Sequence, residues 1–145
     1  MATFKYKLVR QIHVAVHSAA APSDDEWRAY LDNIQQGLRL IDGIISFTVG
    51  GGPDARQREA AVQFWRQQPR QPPIAVVTPS LLVVRMAGAL SWFMPSQIKA
   101  FTPRNVVKAY DYLKLASEQR AAVENGVRVL AREQNLAELE GISVG

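Results

Sequence analysis

The two histidines, His13 and His17, are the side chains of this sequence best suited to metal binding or proton transfer. Four positions apart on an extended strand they share a face but lie ~13 Å from each other, too far to hold one metal ion. They are read as polar-face side chains of a half-buried strand. Asp24, Asp25 and Glu26 form the one run of adjacent carboxylates, and Ser23 precedes them. Ser-x-x-Glu is the capping-box pattern, and acids in a first helical turn are favoured by the helix dipole, so the cluster reads as a helix start. The chain has no cysteine, no GxxxxGK[ST], no HExxH and no serine in a nucleophile-elbow setting. We therefore expect no catalytic residue, no metal ligand and no cofactor.

Two strand-to-helix junctions are better candidates for binding. The first is Gly50-Gly51-Gly52-Pro53-Asp54-Ala55-Arg56. A glycine loop ahead of a helix can aim backbone N–H groups at an anion, although Pro53 removes a donor and Asp54 adds negative charge. The second is Thr78-Pro79-Ser80, where a phosphate on Ser80 would meet the positive end of a helix dipole. The candidate partner- or ligand-binding set is Gly50, Gly51, Gly52, Asp54, Arg56, Thr78, Ser80, Arg85 and Trp92. A bulky residue at Gly51 is expected to impair binding while changing the melting temperature little.

These junctions need strands and helices to hold them. Phe4, Tyr6, Leu8, Ile12, Val14 and Val16 all fall on even positions, the alternation of strands with one buried face, with a turn near Arg10-Gln11. After the cap at Ser23, Trp27, Leu31, Ile34 and Leu38 form a helical stripe stopped by Asp42-Gly43. A strand over 44–49 leads through the glycines to a helix over 53–68, which must end before Pro69. The strand 74–77 leads to an almost wholly apolar helix from Pro79 to about residue 93. A last strand, 98–101, leads through Thr102-Pro103 to a helix that turns Val106, Val107, Tyr110 and Leu113 to the core. Beyond residue 117 a narrower stripe continues through Val123, Val127 and Leu130.

At 145 residues, 48% of them hydrophobic and 21% charged, the chain has the composition of one ordinary globular domain, not of a disordered segment. The N-terminus lacks the apolar core of a secretory signal, and the longest apolar stretch is shorter than the ~20 residues of a membrane span, so a cytoplasmic location is expected. Residues 1–117 carry 14 Lys/Arg against 8 Asp/Glu, and residues 118–145 carry 3 against 5. Basic residues form no run and no platform with aromatics, which argues against nucleic acid as a partner.

The segments Ile74-Ala75-Val76-Val77-Thr78, Ala89-Leu90-Ser91-Trp92-Phe93, Ile98-Lys99-Ala100-Phe101-Thr102 and Ala109-Tyr110-Asp111-Tyr112-Leu113, in that order, resemble the STAS superfamily, in its SpoIIAA-like (STAS/SEC14-like) branch. The resemblance covers residues 4–117. It implies an α/β fold, a four- or five-stranded mixed sheet with helices mainly on one face, and a non-enzymatic protein-interaction module in bacterial regulation. The phosphorylated Ser or Thr of the anti-sigma-factor antagonists has no counterpart in residues 50–55, so the phospho-switch does not carry over.

Residues 1–117 are thus expected as a STAS-like domain and 118–145 as a C-terminal helical extension. That extension should pack on this domain or on a second copy, giving a homodimer through 118–140. The expected partner is another protein. The alternative is a small molecule, nucleotide or lipid headgroup bound over the 50–54 loop or beside Leu82, Met86 and Trp92.

Overall fold

A computed structural model describes residues 2–80, 85 and 97–140. β1 (Phe4–Val9) and β2 (Ile12–His17) form a hairpin, followed by α1 (Asp24–Gly37), a 3-10 turn (Leu38–Leu40) and β3 (Gly43–Thr48). Then come α2 (Ala55–Arg66), β4 (Ile74–Val77), β5 (Ile98–Phe101), a second 3-10 turn (Pro103–Asn105), α3 (Val106–Tyr112), α4 (Ser117–Glu133) and α5 (Ala137–Glu140). The five strands lie in sequence order in one mixed sheet. β1 is antiparallel to β2, and β2, β3, β4 and β5 run parallel. No helix among the described residues is long and apolar enough to cross a membrane. Of the apolar helix expected over 79–93, residues 81–84 and 86–93, with Leu82, Met86 and the candidate site residue Trp92, lie outside the described residues.

The hairpin corrects the single-face reading of the even positions. Val9 pairs with Ile12, so the turn is the two residues Arg10 and Gln11, both at positive φ (45° and 70°) as a type I′ turn demands. A two-residue turn pairs even positions with odd ones. Phe4, Tyr6 and Leu8 therefore stand opposite His17, Ala15 and His13, while Ile12, Val14 and Val16 face the other side. Both faces of β2 are buried.

Each face has its own core. On one side Phe4, Ala15, Ile44 and Ile74 pack with Trp27, Tyr30, Leu31, Ile34 and Leu38 from α1 and its following turn, and with Trp65 of α2. On the other, Val14, Val16, Ile45, Phe47 and Val77 pack with Val106, Tyr110, Val123, Val127 and Leu130 of α3 and α4. Helices thus cover both faces of the five-stranded sheet, α1 and α2 on one and α3 and α4 on the other. α4 on the second face is the C-terminal helical extension.

α1 begins as its sequence dictates. The Ser23 hydroxyl accepts from the Glu26 N–H at 3.1 Å, and Glu26 accepts from the Ser23 N–H at 3.0 Å. Glu26 also accepts from the N–H of Thr3, at 2.8 Å, and so ties the start of β1 to the helix. The helix ends at Gly37 and tightens into the 3-10 turn before Asp42-Gly43 is reached. In α3, Val106, Tyr110 and Leu113 are buried as expected, but Val107 is on the exposed side.

The C-terminal extension docks on its own domain. Val123 and Val127 are fully buried, and Gln134 Nε2 donates to the Val16 carbonyl at 3.0 Å. Glu133 lies 3.5 Å from Lys5, an exposed pair whose contribution is small beside that of the apolar stripe. Burial of Val123, Val127 and Leu130 against β1 and β2 uses up the stripe that a twofold partner would need. Gly126 lies in this helix over β1, where an added Cβ would meet Val9 Cγ1 at 3.6 Å, an ordinary contact distance. Gly126→Ala should therefore recover helix propensity without collision, stabilising the protein by about 1 kcal/mol in urea unfolding. Unchanged or lowered stability would show that α4 sits closer to β1 than this spacing.

Candidate functional site

Between the sheet and the α1–α2 layer the core is incomplete. A cavity of about 270 Å3 remains there. Its sheet floor includes Ile44, Ser46, Thr48, Ile74, Val76 and Ile98, its helical roof Leu31, Ile34, Ala61 and Trp65, and one end is formed by His17, residues 50–53 and Arg58. Polar bonds hold α1 to α2 beside it: Trp27 Nε1 donates to the Gln57 carbonyl at 2.9 Å, and Gln57 Nε2 donates to the Pro22 carbonyl at 2.8 Å. The two helices are therefore braced against each other as well as against the strands.

The histidines lie in this layer and not on a solvated face, because the hairpin register turns them under α1. His13 Nε2 is 2.8 Å from Asn33 Oδ1, and the His17 ring stacks on Phe4 with centroids 4.5 Å apart and planes 2° from parallel. The Nδ1 atoms of both rings are buried without a hydrogen-bond partner. Burial pushes the His17 imidazole down to about 4, against a smaller opposing pull from the Glu26 carboxylate. Burial lowers His13 as well, with the Asn33 hydrogen bond opposing. Tyr30, beside the cavity, is raised to about 12 mainly by burial. At neutral pH His17 and Tyr30 of the lining are uncharged, and among the described lining residues Arg58 supplies the positive charge.

The glycine loop is at the cavity mouth, but the N–H groups of Gly50 and Gly51 are already engaged. Gly50 N–H donates to Thr48 Oγ1 at 3.0 Å, Thr48 Oγ1 donates to the Gly51 carbonyl, and Gly51 N–H donates to the Ser18 carbonyl at 3.1 Å. Asp54 is the N-cap of α2, accepting from the Gln57 N–H at 2.9 Å while Gln57 Oε1 accepts from the Asp54 N–H. Arg56 reaches Asp24 across the α1–α2 seam at 3.4 Å, with both side chains exposed. Neither Gly50 nor Gly51 offers a free donor to an anion. The expectation that Gly51 tolerates a bulky residue fails too, since a Cβ there would lie 2.3 Å from the Ser18 carbonyl oxygen.

The second junction is structural in the same way. Thr78 is fully buried, its N–H donates to the Phe101 carbonyl, and its hydroxyl accepts from the Ser80 N–H at 3.1 Å. Thr78, Ser80 and the exposed Arg85 are not among the described cavity-lining residues. The structure thus gathers Gly50, Gly51 and Gly52 from the sequence candidates, and adds His17, Thr48, Arg58, Trp27, Tyr30 and Trp65. The four-residue step from the Asp54 cap to Arg58, one helical turn, was the available sign that Arg58 would stand over the loop. Among the described residues no group of three or more His, Cys, Asp or Glu could hold a metal ion.

No family model matches the chain, and neither a curated protein nor a solved structure does.

Proposed function

We propose that this chain is a non-enzymatic, STAS-like regulatory module of the bacterial cytoplasm whose cavity between the sheet and the α1–α2 layer holds a small, largely apolar molecule. The cavity itself carries the reading. Fully packed interiors leave few voids larger than a water molecule, whereas small-molecule sites are concave, apolar and furnished with a few convergent polar groups. Aromatic and aliphatic side chains line most of this one, with His17, Thr48 and Arg58 at one end. A partner protein, the first expectation from the sequence, then reads the occupied or empty state. A docking patch as the primary site has less support, since the large apolar side chains exposed among the described residues, Leu8, Leu40 and Val107, belong to three separate segments.

The test uses the neutral fluorophore N-phenyl-1-naphthylamine on the full chain. Saturable binding at one site is expected, and Ala61→Phe, which places a ring in the cavity from α2, should weaken it at least tenfold. The same variant should gain about 1 kcal/mol of stability by filling the void. Lack of saturable binding to the unaltered protein would sink the reading, as would undiminished binding to a folded Ala61→Phe variant.

A further inference from the structure

The register of the parallel strands gives the cavity two unlike ends. Ile44, Ile74 and Ile98 stand in one row across β3, β4 and β5, near the N-terminal ends of these strands. His17 pairs with Thr48 at the C-terminal ends of β2 and β3, next to the glycine loop. An apolar row and a polar row therefore close opposite ends of one space. Apolar groups gain by burial at the first end, and a polar group is needed at the second.

Two polar side chains stand at this end. His17 is 5% exposed and lines the cavity, with its Nδ1 enclosed by the protein. Arg58 is half-buried at the same end. Its Nη1 donates to the Pro53 carbonyl at 2.9 Å, and Arg58 is absent from the ion pairs of the described residues. A guanidinium has five N–H donors and matches a carboxylate in a planar, two-point pairing. Thr48 does not compete, because its hydroxyl is engaged within the loop.

We propose that the cavity selects a monocarboxylic acid with a slim apolar body, its carboxylate against Arg58 at the end that His17 helps to close and its chain along the Ile44–Ile74–Ile98 row. This rests on the cavity reading above and names the ligand class. No bond is made or broken, and the acid binds as its anion at neutral pH. The loop, held by its own hydrogen bonds, forms the rim next to the head group.

Displacement of N-phenyl-1-naphthylamine at pH 7.5 by octanoate, octan-1-ol and octyl phosphate separates the possibilities. Octanoate should bind at least tenfold more tightly than octan-1-ol, which has the same chain without the charge. With each displacement referred to the variant's own affinity for the fluorophore, Arg58→Gln should weaken octanoate at least tenfold and octan-1-ol less than twofold. Octanoate binding no tighter than the alcohol, or an equal loss for both in the variant, would overturn the acid-selective head while leaving the cavity reading standing. Tighter binding of octyl phosphate than octanoate would overturn the carboxylate in favour of a phosphate head. Failure of the fluorophore to bind would instead remove the cavity reading itself.

Discussion

Replacement of Gly51 by alanine should destabilise the protein by roughly 3 kcal/mol, lowering its melting temperature by about 10 °C. The cause is contact, not conformation. A Cβ at this position would lie 2.3 Å from the Ser18 carbonyl oxygen, 2.6 Å from that of Ala20 and 2.7 Å from the Ala19 carbonyl carbon. All three are backbone atoms of the segment after β2, so no side chain can rotate away to make room. Relief requires the loop to move off that segment, which breaks the 3.1 Å bond from Gly51 N–H to the Ser18 carbonyl. Gly52 is the control, having nothing within 4 Å of an added Cβ, and Gly52→Ala should stay within about 0.5 kcal/mol of the parent. Equal, small effects for the two alanines in urea unfolding would mean that the loop is not seated on residues 18–20. The seat also shapes the cavity mouth, so Gly51→Ala should reduce ligand affinity together with stability.

Stability should also fall steeply between pH 6.5 and 4, by an amount on the order of 3 kcal/mol from His17 alone. Above pH 6.5 the imidazole is neutral in both the folded and unfolded chain and contributes no pH dependence. In the unfolded chain it takes up a proton near 6.5, whereas in the fold burial delays this to about 4. Between these values the unfolded state binds a proton that the folded state refuses, so each pH unit costs about 1.4 kcal/mol. Below about 4 both states are protonated and the loss is complete. His13 is shifted the same way and adds to the slope. Glu26 acts lower down: although burial raises it, hydrogen bonds from Ser23 and Thr3 outweigh burial and hold it below the usual carboxylate value. Its stabilisation is present above 4.5 and disappears only as pH falls through that lowered range, outside most of the histidine window. His17→Asn should flatten the pH 6.5–4.5 slope of unfolding free energy, leaving the part due to His13. An unchanged slope in that variant would show that His17 is accessible to protons in the fold.

Local signals in the sequence determined most of the elements. The capping box at Ser23 and Glu26 needs only residues three apart, and it forms as written. Short apolar runs bounded by glycine or proline marked β3 and β4, because a buried parallel strand is mostly apolar and the breakers must end it, whereas β5, with the exposed Lys99, lies at the sheet edge. The stripe of Val123, Val127 and Leu130 required tertiary burial, since a helix with so narrow an apolar face is marginal by itself in water.

Tertiary structure decided what those elements enclose. The Arg10-Gln11 turn is two residues long, and that length reverses which positions of β1 and β2 share a face. One reversal moves His13 and His17 from an apparent polar surface into a buried layer under α1. The glycine loop looked like an anion cradle, yet whether its N–H groups are free depends on Ser18, a residue 33 positions away that only the fold brings near. The cavity has no sequence signature at all, because it is the space left where α1 and α2 brace each other and do not close fully onto the sheet. Alternation and capping are properties of neighbours along the chain, whereas an unfilled volume is a property of distant segments, and so Arg58 and His17 came to line one space only in three dimensions.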